Sequence, residues 1–431
     1  MKYFFLLLLL ISCQIAPSKD LFNSSVGKNP ILPKPTLSLI PAVNIAKASQ
    51  WPEGLMPHVK DGFTINLYSK ELIHPRWLYV LPNGDVLVAQ SNKQSPKKTR
   101  NLKDLITGYV MKRAGAGNES PDKITLLRDK NGDGVATLAS DFLTGLHSPF
   151  GMTLIGNDLY VANTDGILRF NYELGDTSID TKKYPPEKIV DLPEGEINGH
   201  WTKNIIASQD GLKLYVTVGS NSNIGERGLD QEKDRAVILE IDLQTKQKRI
   251  YASGLRNPNG LAWQPLTNQL WTVVNERDEL GNDLVPDYLT SVHDGDFFGW
   301  PYVYYGNHKD PRVKEVMPEN LHARSPDYAL GAHVAALGLV FSNTSQFKSP
   351  YKNGVFVSEH GSWNREPRSG YKVIFIPFKN NEPEGSPVDV VTDFVVNNEA
   401  YGRPVGLVID KQGNLLIADD VGNRVWRIGP K

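Results

Sequence analysis

PRWLYVLPNGDVLVA (75–89) sets a pattern: an apolar run, an Asn-Gly turn, and a second apolar run ending in Ala. The same unit returns as PFGMTLIGNDLYVA (149–162), TKNIIASQDGLKLYVTVG (202–219), PNGLAWQPLTNQLWTVV (258–274), LGLVFSNTSQFKSPYKNGVFVS (337–358) and PVGLVIDKQGNLLIA (404–418). Short runs of Val, Ile, Leu, Tyr and Trp bounded by Gly, Asn and Asp read as strands and hairpins, while helical periodicity is nearly absent. A unit this small cannot bury both of its faces alone, so the copies must stack. The expectation is an all-β chain, a six-bladed β-propeller. Residues 63–431 shared among six units leave more chain than the ~40–50 residues of a compact four-stranded blade, and the surplus goes to long loops on one face. A large sandwich or a pair of barrels is disfavoured, because strand–turn–strand units return at blade-like intervals.

The 431 residues carry 47 Lys+Arg against 48 Asp+Glu, a formal charge of −1, which gives no electrostatic reason to expect nucleic acid as a partner. One Cys excludes an internal disulfide and any Cys-based zinc, iron–sulfur or CxxCH haem site. Redox chemistry would need another cofactor.

At the amino terminus an apolar run, Phe4 to Ile11, is far shorter than the roughly 20 residues of a spanning helix and reads as the core of a signal peptide, 1–12. It ends in Leu10–Ile11–Ser12–Cys13, which resembles a lipobox with Cys13 as the acylated residue. Gln14 after the Cys favours the outer membrane over the inner in Gram-negative bacteria. The expectation is an exported protein, lipid-anchored at the bacterial cell envelope. Residues 13–62 are rich in Pro, Ser, Lys and Asn without a sustained period and read as a Pro-rich tether.

Between the fourth and fifth copies the chain reads GLRNPNGLAW (254–263), VVNERDELGNDLVPD (273–287) and DGDFFGWPY (294–302). Together with NGHWTKNIIASQDGLKLYVTVGSNSN (198–223), VFVSEHGSWNREPRSGYKVIFIPF (355–378) and YGRPVGLVIDKQGNLLIADDVGNRVWRI (401–428), these stretches resemble the soluble quinoprotein glucose dehydrogenase and sorbosone dehydrogenase family. That family binds pyrroloquinoline quinone (PQQ) and calcium on a six-bladed propeller. The resemblance implies that Arg256 and Asn257 contact the reactive region of the quinone, where a guanidinium can stabilise developing charge and an amide can hold the ring. It places His200 as the catalytic histidine, an imidazole that near its ordinary pKa of about 6.5 takes a proton from a sugar hydroxyl.

The resemblance further makes Asn275–Asp278 the segment whose carbonyls hold calcium, with Glu276 and Asp278 adding carboxylates and Arg277 its carbonyl. His360 stands in place of a cofactor-binding lysine, part of whose role a protonated imidazole would keep. Arg403 lies where arginines meet the carboxylates of the quinone. The chain departs from the glucose-oxidising pattern at 276–278, which lacks a Gly-Pro, and near His147–Pro149, which lacks a glutamine.

Separately, Asp129, Asn131 and Asp133, followed by Gly134, have the spacing of a calcium loop, with Ser140 rather than Glu at the twelfth position. A structural calcium loop and a plain polar turn both fit. The leading functional expectation is a PQQ- and calcium-dependent dehydrogenase that oxidises an aldose, a sorbosone-like aldehyde or a related polyhydroxy alcohol and passes electrons to an external acceptor. The alternatives are a non-catalytic surface propeller that binds sugar or protein, and a calcium-dependent lactonase.

Overall fold

The computed structural model describes residues 19–37, 43–94, 112–117, 119–195 and 197–431. Among them, six sheets contain at least four strands each. The first comprises Pro75–Val80, Val86–Gln90, Lys123–Arg128 and Leu138–Leu143; the second Met152–Ile155, Asp158–Ala162, Gly166–Asn171 and Glu187–Asp191; the third Ile205–Ala207, Lys213–Val218, Val237–Asp242 and Lys248–Ser253. The fourth comprises Asn257–Trp263, Leu270–Asn275, Pro286–Val292 and Tyr328–Ala332, and the fifth is built on Ala336–Phe341, Gly354–Glu359, Lys372–Lys379 and Val388–Thr392. In the sixth, Pro404–Ile409, Leu415–Asp419 and Arg424–Pro430 are joined by Phe63–Ser69 from the other end of the chain, with Phe63 opposite Pro430. Each sequence repeat forms the first two strands of one sheet.

Apolar clusters fill the spaces between consecutive sheets, as the one-face alternation of the repeats requires. Trp77, Phe142, Phe150 and Phe170 join the first sheet to the second, Tyr160, Leu214 and Leu239 the second to the third, and Tyr215, Leu261 and Tyr288 the third to the fourth. Trp271, Leu339 and Val355 continue to the fifth, Phe356, Phe375 and Trp426 to the sixth, and Leu416, Val425, Leu78 and Val88 return to the first. The sheets therefore close a cycle. In such a meander the start of every first strand, the turn from second to third strand, and the end of every fourth strand lie at one end. The remaining turns lie at the other.

The described part of the expected tether departs from that reading, because it is docked on the sheets. Gly27 and Ala329 exchange backbone hydrogen bonds at 2.9 Å, Thr36 donates to Leu280, and Lys47–Ala48 pairs in parallel with Glu399–Ala400. Trp51 is buried against Trp426 and Phe394, and His58–Val59 adds a short strand to the fifth sheet. Prolines deny this segment regular pairing of its own, but it finds partners across the fold. The signal peptide and Cys13 lie outside the described residues. Among the described residues no helix is long and apolar enough to cross a membrane.

Candidate active site

The residue before the opening Pro of a repeat sits at the head of a first strand, and four such heads carry His74, Ser148, Asn257 and Arg403. Second-to-third turns bring Ser220, Glu276–Asp278, His360 and Asp420 to the same end. The expected residues His200, Arg256, Asn257, His360 and Arg403 therefore share one end of the cycle, and they form two clusters.

In the first cluster the Ser220 main chain bridges the His200 ring and the Arg256 main chain. Its N–H donates to the Arg256 carbonyl at 2.7 Å, while its own carbonyl accepts from His200 Nδ1 at 2.7 Å. That bond fixes the proton on Nδ1 and leaves Nε2 as an acceptor. Burial, then the charge of Arg256, pushes His200 down to about 3, well below the 6.5 assumed from sequence. The ring is neutral at physiological pH. Gly219 makes the approach possible, since a methyl there would overlap both His200 Cβ and the Asn257 amide oxygen. That amide oxygen is buried without a hydrogen-bond partner.

Arg256 is held from three sides. Nε donates to Asn223 O at 3.1 Å, Nη2 to Asn223 Oδ1 at 3.0 Å, and Nη1 to Glu276 O at 2.6 Å. Asp278 Oδ2 lies 3.6 Å from Nη2. Asp278 also accepts from His333 Nδ1 at 3.1 Å and Asn364 Nδ2 at 3.0 Å, and these contacts hold its carboxyl well below the usual range against the upward push of burial. His333 Nε2 faces the Gly281 carbonyl at 3.0 Å, so both ring nitrogens meet acceptors.

The second cluster centres on Asp420, which pairs with Arg76 and accepts from His360 Nε2 at 2.9 Å. Burial, and then the charges of Arg403 and Arg76, push His360 down to about 4 against the pull of Asp420. The protonated His360 expected from sequence is thus replaced by a neutral ring. Arg403 is buried, forms no ion pair among the described residues, donates to Tyr371 Oη at 3.1 Å, and lies 4.9 Å over that ring. Its Nε has no partner, and neither has that of Arg76. The Arg76 guanidinium lies 5.7 Å from the ring of Trp201, the neighbour of His200, which ties the two clusters together.

The expected metal ligands are placed differently. Glu276 turns its carboxyl inward to its neighbour's amide, Arg277 N, at 3.0 Å, and burial raises it to about 7. The Arg277 guanidinium pairs with Asp310 at 2.8 Å rather than facing the site. Asp129, Asn131 and Asp133 occupy a third-to-fourth turn at the opposite end, where Asp129 accepts amides of Asn131, Gly132 and Gly134. Among the described residues no group of three His, Cys, Asp or Glu side chains is arranged to hold a metal ion.

Sequence reasoning missed Arg76, Asp420, Asn223, His333 and Asn364. Arg76 carried a signal: it stands where two other Pro-led copies have Asn259 and Val405, side chains that cannot carry charge.

A family model described as TrAA12-like matches residues 124–295 and 310–431. A protein of uncharacterized role from Borreliella burgdorferi is 31% identical over 66% of this chain and 76% of its own length. The pyrroloquinoline quinone-dependent pyranose dehydrogenase of Coprinopsis cinerea is 31% identical over 53% of this chain, and the match spans only 39% of that enzyme. Among solved structures, a Trichoderma reesei protein of Carbohydrate-Active Enzymes Family AA12 superposes with a TM-score of 0.69 at 17% identity, covering 92% of this chain and 100% of that one. The PQQ domain of the Coprinopsis cinerea pyranose dehydrogenase superposes with a TM-score of 0.68 at 19% identity, covering 90% and 100%. These superpositions bear on the fold.

Proposed function

The chain belongs to the TrAA12-like family of oxidoreductases, and from that membership we propose that it is a PQQ-dependent dehydrogenase of sugars or related polyhydroxy aldehydes and alcohols. The cycle of six sheets is then a six-bladed β-propeller with its working loops at one end.

The observation that carries the reading is a neutral imidazole whose Nε2 is left as an acceptor, at the same end as a buried Arg403 that has no acidic partner among the described residues. An uncompensated buried guanidinium is costly unless an anion completes it. A carboxylate of PQQ would do so at Arg403; Arg76, already paired with Asp420, keeps an unpartnered Nε in the same cluster, and the orphaned amide oxygen of Asn257 awaits a donor. When bound, PQQ supplies the acceptor for a hydride from the substrate carbon.

His200 takes the hydroxyl proton at Nε2, with Nδ1–H anchored on Ser220 O so that the ring cannot turn away. Arg256, fixed by Asn223 and Glu276, holds positive charge beside the reacting atoms without having to move. The calcium that the resemblance implies does not fit the side chains of 276–278 as they stand, and no step is derived through it. Electrons then pass to an external acceptor.

Equilibrium dialysis with PQQ, followed by single-turnover mixing with a panel of aldoses at the quinone absorbance, tests the proposal. Stoichiometric uptake and sugar-dependent bleaching are expected. A protein that takes up no quinone would instead be a binding module on the same fold. We also propose export and acylation at Cys13. Cys13→Ser should abolish detergent-phase partitioning, and a mature terminus at any other residue would overturn the anchor.

A further inference from the structure

The loop Asn275–Asp278, to which the resemblance assigns calcium beside the quinone, has most of its oxygens engaged by this chain's own donors. Arg256 Nη1 donates to Glu276 O at 2.6 Å and reaches Asn275 O at 3.4 Å. The Asp278 carbonyl accepts from Asn223 Nδ2 at 3.1 Å and from the Arg277 guanidinium. Asp278 Oδ1 accepts from His333 and Asn364, and Oδ2 faces Arg256. Glu276 Oε2 accepts the Arg277 amide, and that side chain points into the core beside Asp287. Of the four main-chain carbonyls, only that of Arg277 has no donor among the described residues.

Calcium takes six to eight oxygen ligands at about 2.3–2.6 Å, so one free carbonyl is no site for it. Placing it on the others would break the bonds that hold a buried guanidinium and set two positive charges against that group. A guanidinium cannot shed its proton to make room. The position already holds a fixed cation.

We propose that, with these carbonyls held by Arg256 and Asn223, this chain takes up its quinone without a divalent ion, and that Arg256 is the cation at this position. Glu276-Arg277-Asp278 brings side chains that fold back on the main chain. Asn223, from the neighbouring sheet's turn, completes the cradle by bonding both Arg256 and Asp278. The proposal rests on the quinone reading above.

Equilibrium dialysis of the metal-stripped protein against PQQ, in EDTA and in millimolar calcium, tests it without recourse to activity. Dissociation constants within about twofold of each other are expected. Uptake weakened tenfold or more in EDTA and restored by calcium overturns this inference while leaving the quinone reading intact. No uptake under either condition overturns both.

Arg256→Gln adds a second arm, read on protein shown to be folded by its circular dichroism. It should weaken uptake in EDTA by tenfold or more and make uptake respond to calcium, because the carbonyls of Asn275 and Glu276 are released. Uptake by Arg256→Gln in EDTA equal to that of the unaltered protein would show that the guanidinium is not the cation.

Discussion

His200 shows how much of a candidate base lies in its bonds rather than its type. The sequence identifies the histidine by its place before the third repeat, but the Ser220 carbonyl decides its tautomer, and burial with Arg256 decides its charge. His200→Ala should leave PQQ uptake unchanged and slow quinone reduction by roughly 100-fold or more. Equal rates would send the search for a base elsewhere. Because the ring is held down to about 3, it stays neutral as pH falls. Single-turnover rates should therefore hold from pH 8 to pH 5, where an imidazole at 6.5 would be almost wholly protonated. A rate that halves near pH 6.5 would contradict this environment. Arg403→Ala should weaken PQQ uptake by about 10- to 100-fold, the loss of a charge-assisted bond, with little change in melting temperature, since the guanidinium has no ion pair among the described residues to lose. His200, Arg256, Asn257 and Arg403 were legible because each matches a position to which the resembled family gives a role. Asp420, Asn223 and Asn364 were not, since bonds to partners tens to hundreds of residues away are what bring them to the site.

Elements follow the same logic one step up. Each repeat forms the first two strands of a sheet, and its alternating apolar residues predict which faces are covered, so the strands could be read directly. The segment before residue 63 could not be read in this way. It has no period because its residues pair with strands and loops of other sheets and not with their own neighbours. Trp51 was its one signal: a large indole in a Pro-rich stretch. It packs 5.4 Å from Trp426 and donates Nε1–H to buried Asp419 at 2.8 Å. Trp51→Ala should cost about 3–5 kcal/mol in denaturant unfolding, as for other large aromatics cut from a core. A loss under 1 kcal/mol would mean that the segment is laid on the sheets without supporting them.

Over the whole molecule, the interior carries carboxyls that it keeps protonated. Burial raises Glu359 to about 8 and Glu276 to about 7, and Glu359 Oε2 has no partner. In the unfolded chain both ionise near 4.5, so the folded state binds more protons above that pH. Their contribution is complete below about 4.5, falls from there, and is gone once pH has risen through 7 and 8. The melting temperature should therefore fall between about pH 7 and 8, where the histidines of the unfolded chain are mostly neutral, and Glu359→Gln should flatten the fall. An unchanged slope in that variant would place the lost protons elsewhere. The cycle itself was legible as a count of repeats, but its seam was not, because Phe63–Ser69 resembles any other strand until Arg424–Pro430 is set beside it. That seam also sets a timetable. At roughly 5–20 residues per second, the ribosome releases the closing strand some 20–70 s after the strand it must meet. Through that interval an apolar edge stands open to any passing chain, and a helper that shields nascent edges would be needed most by this first strand.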